Sequence, residues 1–291
     1  MSKARMYTIT KGLRRRGRLL GQALRPPTRD FGRPSAAVRT GADDGYRAPR
    51  APRLVETPVF ILSPVRSGST LLRVLLNSHS EIRAPHEMHL RTLHVHMDRE
   101  FSADAMRELQ MDKDELEHVL WDRVLHLELE RSGKNIIVDK TPPNTLIWPR
   151  LHRCWPQARY IFLLRNPAAV VASLVNRRAD PDLDEIHAEV LRYAERLDES
   201  RNAVDGCVVT YERLTTDPEN VTREICAFLG VEWEPGMLDY GRHDHGDFRP
   251  QLGDWSDTIK SGVIKPAQRV ETPHDLPSRL VEIAKSWGYE S

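Results

Sequence analysis

Nowhere does this chain carry the roughly 20 consecutive apolar residues that a membrane-spanning helix needs, so no span is expected. Cysteine is scarce: Cys154, Cys207 and Cys226 are the three present. They are odd in number and far apart, which excludes a disulfide framework and matches no metal-ligand spacing. They read as reduced, mostly buried thiols of a cytoplasmic protein. Aromatic residues make up 7% of the chain, and none is interleaved with arginines as in a nucleic-acid groove, which sets that partner aside. An overall excess of one charge is missing too, with a net charge of +1 over 291 residues. That balance conceals a division: residues 1–50 hold 13 Lys/Arg and 3 Asp/Glu, and the remainder holds 30 and 39. No apolar core follows the first basic residues, so a signal peptide is not expected.

What the chain does have begins at Pro58. The segment to Asn77 reads P-V-F-I-L-S-P-V-R-S-G-S-T-L-L-R-V-L-L-N. An apolar run (Val59–Leu62) stops at a loop of small residues around Arg66, and a second run starts with helical spacing at Leu71. Strand, small-residue loop and helix is the build of a phosphate cradle. The first amides of a helix lack intrahelical partners and lie at its positive end. Gly68 allows close backbone approach, Ser67, Ser69 and Thr70 add hydroxyls, and Arg66 adds a planar charged fork. An ATP-binding P-loop reads G-x-x-x-x-G-K-[ST]. Here Ser63 stands at the first glycine and Ser69 at the lysine, and the cation has moved to Arg66.

A second segment, Ala158 to Arg178, repeats the build. Tyr160–Leu164 reads as a buried parallel strand, Asn166 as an N-cap and Pro167 as the first helical residue. Arg165 closes the strand and Ser173 lies on the helix. A third apolar strand (Ile136–Val138) ends in Asp139-Lys140-Thr141-Pro142. Further on come Val208-Val209-Thr210-Tyr211-Glu212-Arg213-Leu214 with Asp217-Pro218, and Leu252-Gly253-Asp254 with Lys260-Ser261-Gly262.

Together these segments, from about residue 57 to the end, resemble the sulfotransferases that use 3′-phosphoadenosine 5′-phosphosulfate (PAPS), in their bacterial type. The resemblance implies an α/β fold with a parallel sheet flanked by helices, the P-loop-like sulfotransferase fold. It implies PAPS as donor, the 3′,5′-bisphosphate PAP as product, and no metal. It assigns Arg66, Ser67, Gly68, Ser69 and Thr70 to the 5′-phosphate and leaving group. Arg165 and Ser173 fall to the 3′-phosphate, Lys260, Ser261 and Gly262 to further 3′-phosphate contacts, and Lys140 to the transferring sulfuryl group. Tyr211 and Trp255 are candidates for adenine. The chain departs from the family's better-known cytosolic members at two points. Leu71 replaces a base-stacking tryptophan, and Pro142 stands where they carry a catalytic histidine.

A different base must therefore take the acceptor's proton. Glu87, in Ala84-Pro85-His86-Glu87-Met88-His89-Leu90, resembles the "P-x-E" glutamate of bacterial sulfotransferases, and His89 and His86 are the alternatives. His86, His89, His94 and His96 invite a metal reading, but H-E-M-H is one residue short of H-E-x-x-H. The competing function is a P-loop kinase or NTPase with Asp139 holding Mg²⁺; the missing lysine at position 69 opposes it. The acceptor is read only as a hydroxyl of a small molecule, lipid or carbohydrate.

Strands are expected near 58–62, 135–139, 159–164 and 206–210, and helices over 69–78, 112–131, 167–178, 182–204, 217–229 and 276–287. Helix 112–131 is expected to bury Leu116, Val119, Leu120, Val124 and Leu127. Helix 182–204 is expected to bury Ile186, Val190, Tyr193 and Leu197. Residues 1–53 read as a basic, flexible arm and 54–291 as the sulfotransferase domain. Peripheral contact with anionic lipid is the functional reading of the arm.

Overall fold

Strands that are apolar at every position need cover on both faces, and a parallel sheet between helices supplies it. The computed structural model describes residues 51–246, 257–267 and 276–289. Its five strands are β1 (Val59–Leu62), β2 (Ile82–Arg83), β3 (Ile136–Asp139), β4 (Arg159–Leu164) and β5 (Gly206–Thr210). All the pairings are parallel, in the order β2-β3-β1-β4-β5. The helices among the described residues begin with α1 (Ser69–Asn77), α2 (Glu100–Glu108), α3 (Lys113–Ser132), α4 (Trp148–Cys154) and α5 (Pro167–Val175). They continue with α6 (Leu183–Ala203), α7 (Tyr211–Thr216), α8 (Pro218–Leu229), α9 (Asp257–Lys260) and α10 (Ser278–Ser286).

The strand period of two divides the core between the two faces. Phe60, Leu62, Tyr160, Phe162 and Leu164 pack with Trp121 and Leu125 of α3, Val170 of α5, Ile186 of α6 and Leu280 of α10. Val59, Ile61, Ile161 and Leu163 face the other way, onto Leu72 and Leu75 of α1 and Ile225 and Leu229 of α8. The caps follow local chemistry. Asp112 accepts from the Glu115 amide, Asn166 from Ala168 and Asp182 from Glu185. Gly230 ends α8 in the left-handed region at φ 74°.

The four strands expected from apolar runs are present, and α6 buries Ile186, Val190, Tyr193 and Leu197. α3 corrects the expectation for its buried face. It turns Glu115, Glu117, His118, Trp121, Asp122 and Leu125 inward and leaves Leu120 and Leu127 exposed. Buried carboxylates are tolerated because each is paired. Glu115 takes a two-pronged ion pair from Arg53 at 3.1–3.2 Å. Asp122 accepts from the amides of Leu54 and Val55 and from Trp155 Nε1 at 2.7–3.2 Å. Glu117 accepts from Arg150 at 2.7 Å and from the Val95 amide at 3.1 Å.

Arg53 is thereby fastened to the domain, whereas residues 1–50 of the basic arm lie outside the described residues. All three cysteines are free thiols, and burial raises Cys207 and Cys226 to about 11. Among the described residues no helix is long and apolar enough to cross a membrane.

Candidate active site

β1 is flanked by β3 on one side and β4 on the other, so the chain reverses its winding there. In such sheets the crevice beyond the carboxyl ends at the reversal is the natural ligand site. Arg66, Lys140, Arg165 and Tyr211 each follow a strand end. Arg66, Arg165 and Tyr211, with Lys265 and Glu87, help to line a cleft of about 590 Å³, and Lys140 lies behind it against Glu87 and Thr70.

The loop after β1 is held in an uncommon shape. Arg66 and Gly68 both have positive φ, 61° and 81°. A left-handed arginine stores about 1 kcal/mol of strain and marks a functional loop. The Ser63 amide donates to Thr145 Oγ1 at 2.8 Å, which donates back to the Ser63 carbonyl at 3.0 Å. At the other end Arg165 Nη1 donates to the Arg66 carbonyl at 2.5 Å. Arg66 Nε in turn reaches Ser173 Oγ at 3.4 Å. Gly68 is enforced by its surroundings: a Cβ there would lie 2.2 Å from Cδ2 of Tyr211. The Arg165 guanidinium lies over the same Tyr211 ring, 4.4 Å from its centroid. Glycine, tyrosine and arginine thus form one stack that braces the cradle. Burial lowers the Arg165 pKa below the usual arginine value.

Ser69 and Thr70 open α1 and line the cleft; Ser67 is fully buried beneath them. Three polar atoms at this end, Ser63 Oγ, Ser67 Oγ and Arg165 Nε, are buried without a hydrogen bond. Such atoms cost free energy unless a ligand or water meets them.

At the other end stands Lys140, 1% exposed. Its Nζ donates to Thr70 Oγ1 at 3.2 Å and to Glu87 Oε1 at 2.5 Å. Burial lowers the Lys140 pKa, while the Glu87 carboxylate acts in the opposite direction. His89 Nε2 lies 3.7 Å from Glu87 Oε2. His86 is exposed and turns its ring to the Glu87 carbonyl. His94 and His96 go to other carboxylates, Glu117 and Asp98. Among the described residues no three His, Cys, Asp or Glu side chains gather as a metal site. Asp139, 1% exposed, spends both oxygens on neighbours, Thr141 Oγ1 at 2.9 Å and Asn144 Nδ2 at 2.7 Å. That arrangement makes it a structural carboxylate.

Lys260 ends α9, Ser261 and Gly262 form the turn after it, and the three are not among the residues lining the cleft. Ser261 Oγ donates to the Thr258 carbonyl at 2.7 Å. Gly262 rests on Gly241, so closely that a Cβ at Gly241 would lie 2.8 Å from the Gly262 Cα. The same segment contributes Thr258, Ile259, Val263 and Lys265 to the cleft wall. It is held by Tyr240 Oη donating to the Val263 carbonyl at 3.2 Å and by the Ala267 amide donating to Thr215 Oγ1 at 3.0 Å. Leu252, Gly253, Asp254 and Trp255 lie outside the described residues. Two cations that line the cleft, Arg177 and Lys265, were not singled out by the sequence. Arg177 is one helical turn beyond Ser173, a spacing that could have revealed it. Nothing local marks Lys265.

The comparisons with known proteins agree with this geometry. The model of the sulfotransferase family matches residues 58–235. Nodulation protein NoeE of Sinorhizobium fredii is 31% identical over 208 residues, covering 60% of this chain and 50% of that protein. Protein-tyrosine sulfotransferase 1 of Danio rerio is 24% identical over 200 residues, covering 62% and 55%. The chain therefore spans about half the length of these curated relatives. Among solved structures, the sulfotransferase domain of the Synechococcus PCC 7002 olefin synthase superposes with a TM-score of 0.63 at 24% identity, covering 81% of this chain and 97% of that one. The sulfotransferase domain from the curacin biosynthetic pathway gives 0.64 at 22%, covering 81% and 99%. These likenesses show the fold.

Proposed function

This chain belongs to the sulfotransferase family, and from that footing we propose that it moves a sulfuryl group from PAPS to an acceptor hydroxyl by in-line displacement. The observation that carries the reading is the position of Lys140. Its ammonium touches Thr70 of the cradle and the carboxylate of Glu87, so the donor and acceptor ends of the cleft meet at one cation. PAPS, when bound, supplies an activated sulfuryl group on a phosphate leaving group.

The residues suit that donor. Arg66, the first amides of α1 and the hydroxyls of Ser67, Ser69 and Thr70 hold the 5′-phosphate. Arg165 and Ser173 hold the ribose 3′-phosphate, the group that separates PAPS from ATP. The unpartnered Ser67 Oγ and Arg165 Nε support an anionic guest at this end of the cleft. Lys140 keeps positive charge where the leaving oxygen gains electrons, which lowers the barrier only if it is fixed beforehand. Its bonds to Thr70 and Glu87 fix it. Glu87 takes the acceptor's proton, and His89, 3.7 Å away, is placed to share it. Pro142, at the cleft wall, leaves that duty to them. We assign the adenine contact to Tyr211, which lines the cleft beside Arg165.

The acceptor is a hydroxyl of a small molecule, lipid or carbohydrate. Residues 1–50, with their excess of base, suit peripheral contact with anionic lipid. Calorimetry comparing adenosine 3′,5′-bisphosphate with ATP and Mg²⁺ tests the donor assignment, and tighter ATP binding would overturn it. Incubation with ³⁵S-labelled PAPS and an extract of the producing organism tests transfer; the labelled product identifies the acceptor.

A further inference from the structure

Glu87 lies on a segment with no regular secondary structure of its own, and a base on such a segment is only as well placed as the bonds that pin it. Upstream, the Ala84 amide donates to Asn77 Oδ1 at 3.0 Å and Arg73 Nη1 donates to the Ala84 carbonyl at 3.2 Å. Burial lowers that arginine to about 10. Downstream, a hydroxyl pins the backbone beside Glu87, in addition to the Lys140 bond to its carboxylate and the burial of Leu90. Thr141 Oγ1 accepts from the amides of Met88 at 3.1 Å and His89 at 3.4 Å. It donates to Asp139 Oδ1 at 2.9 Å. A hydroxyl has one donor and two acceptor sites, and all are filled here. Asp139 is itself fixed by Asn144 and by its place at the end of β3, paired to β1. His89 holds φ 49°, a strained value for a non-glycine residue, so the segment needs such restraint to keep its shape.

We propose that Thr141 is a positioning residue: its buried hydroxyl ties the Glu87 segment to the rigid end of β3 and so sets where the base stands relative to Lys140. Lys140 and Thr141 are adjacent in the chain, so one strand end aims both the cation and the base. The proposal rests on the reading of Glu87 as the base. It predicts that the hydroxyl matters to turnover and little to nucleotide binding, because the cradle is pinned elsewhere, by Thr145 and Arg165.

The test compares Thr141→Val, which keeps the shape and removes the hydroxyl, with Thr141→Ser, which keeps the hydroxyl. Transfer from saturating ³⁵S-PAPS is expected to fall about 10- to 100-fold in the Val variant and to stay within about twofold in the Ser variant. Affinity for adenosine 3′,5′-bisphosphate stays within about twofold in both, and in the Val variant the Met88 and His89 amides lose hydrogen-exchange protection while Ala84 keeps it. Unchanged transfer in the Val variant would overturn the proposal. So would an equal loss of nucleotide affinity, or failure of the Val variant to fold, since each makes the hydroxyl irrelevant or merely structural. Glu87→Gln separates the two readings. If it transfers at the wild-type rate, the base assignment itself fails. If it is inactive while Thr141→Val is fully active, only the positioning role fails.

Discussion

Single side chains divide the labour of this cleft, and substitutions should separate the parts. On the proposed function, Lys140→Ala removes a buried cation from beside the leaving oxygen. Turnover should fall by 10²-fold or more, on the order of a lost oxyanion donor, with nucleotide affinity changed much less. Arg165→Ala should do the reverse, weakening adenosine 3′,5′-bisphosphate about 10- to 100-fold by calorimetry, since it removes a charged fork and a brace of the cradle. Gly68 makes a third case. An alanine there meets the Tyr211 ring and must also hold φ 81°. Gly68→Ala should lower the melting temperature and weaken the nucleotide. Adding Tyr211→Ala should relieve the clash but not the backbone strain of about 1–2 kcal/mol, so recovery should be partial. Full recovery would mean that the backbone conformation costs nothing.

Elements show where pattern reading succeeds. β1, β3 and β4 each carry an apolar run, and the segment after each leads to the cleft, so the cradle, Lys140 and Arg165 could be picked out together. β2 has two residues and shows no period. α2 buries nothing, so no apolar stripe announces it. α3 misled because its inward face carries carboxylates whose partners, Arg53, Arg150 and Trp155, come from elsewhere in the chain. Pairing across such distances cannot be seen in a window of neighbours. Arg177 and Lys265 were missed for a related reason: the docking of a helix end and a loop brings them to the cleft, and no motif does.

α3 also supplies a pH prediction. His118 is buried, accepts from Arg150 Nε at 3.3 Å as a neutral ring, and has its pKa lowered to about 4, first by burial and then by Arg150. The unfolded chain takes up this proton near pH 6.5 and the folded one only near 4. The contribution is therefore complete above about pH 6.5 and is lost as pH falls through that window. With discount for the partial exposure of the ring, it is on the order of 2 kcal/mol. Urea denaturation from pH 7 to 4 should show this slope, and His118→Gln should flatten it.

Among the described residues a packed sheet carries one more lightly fastened wall. Four strand ends meet at a crevice whose floor is parallel sheet, covered on both faces by apolar packing. The wall of residues 257–267 is different in kind. Ile259 is buried there and Ile264 partly buried against the core, and the Val263 carbonyl, the Ala267 amide and a contact between glycines add further ties. Local opening follows such differences. Amide exchange should be faster by orders of magnitude over 257–267 than over 59–62, and bound adenosine 3′,5′-bisphosphate should slow the former more than the latter.

Gly241 and Gly262 therefore matter for more than fit. Two backbones touch there without side chains, while Ile259 and Ile264 of the same segment pack into the core beside them. A side chain at either glycine would prise the segment off residues 235–242, and with it Thr258 and Lys265, which line the cleft. Two bare α-carbons thus set how that wall stands.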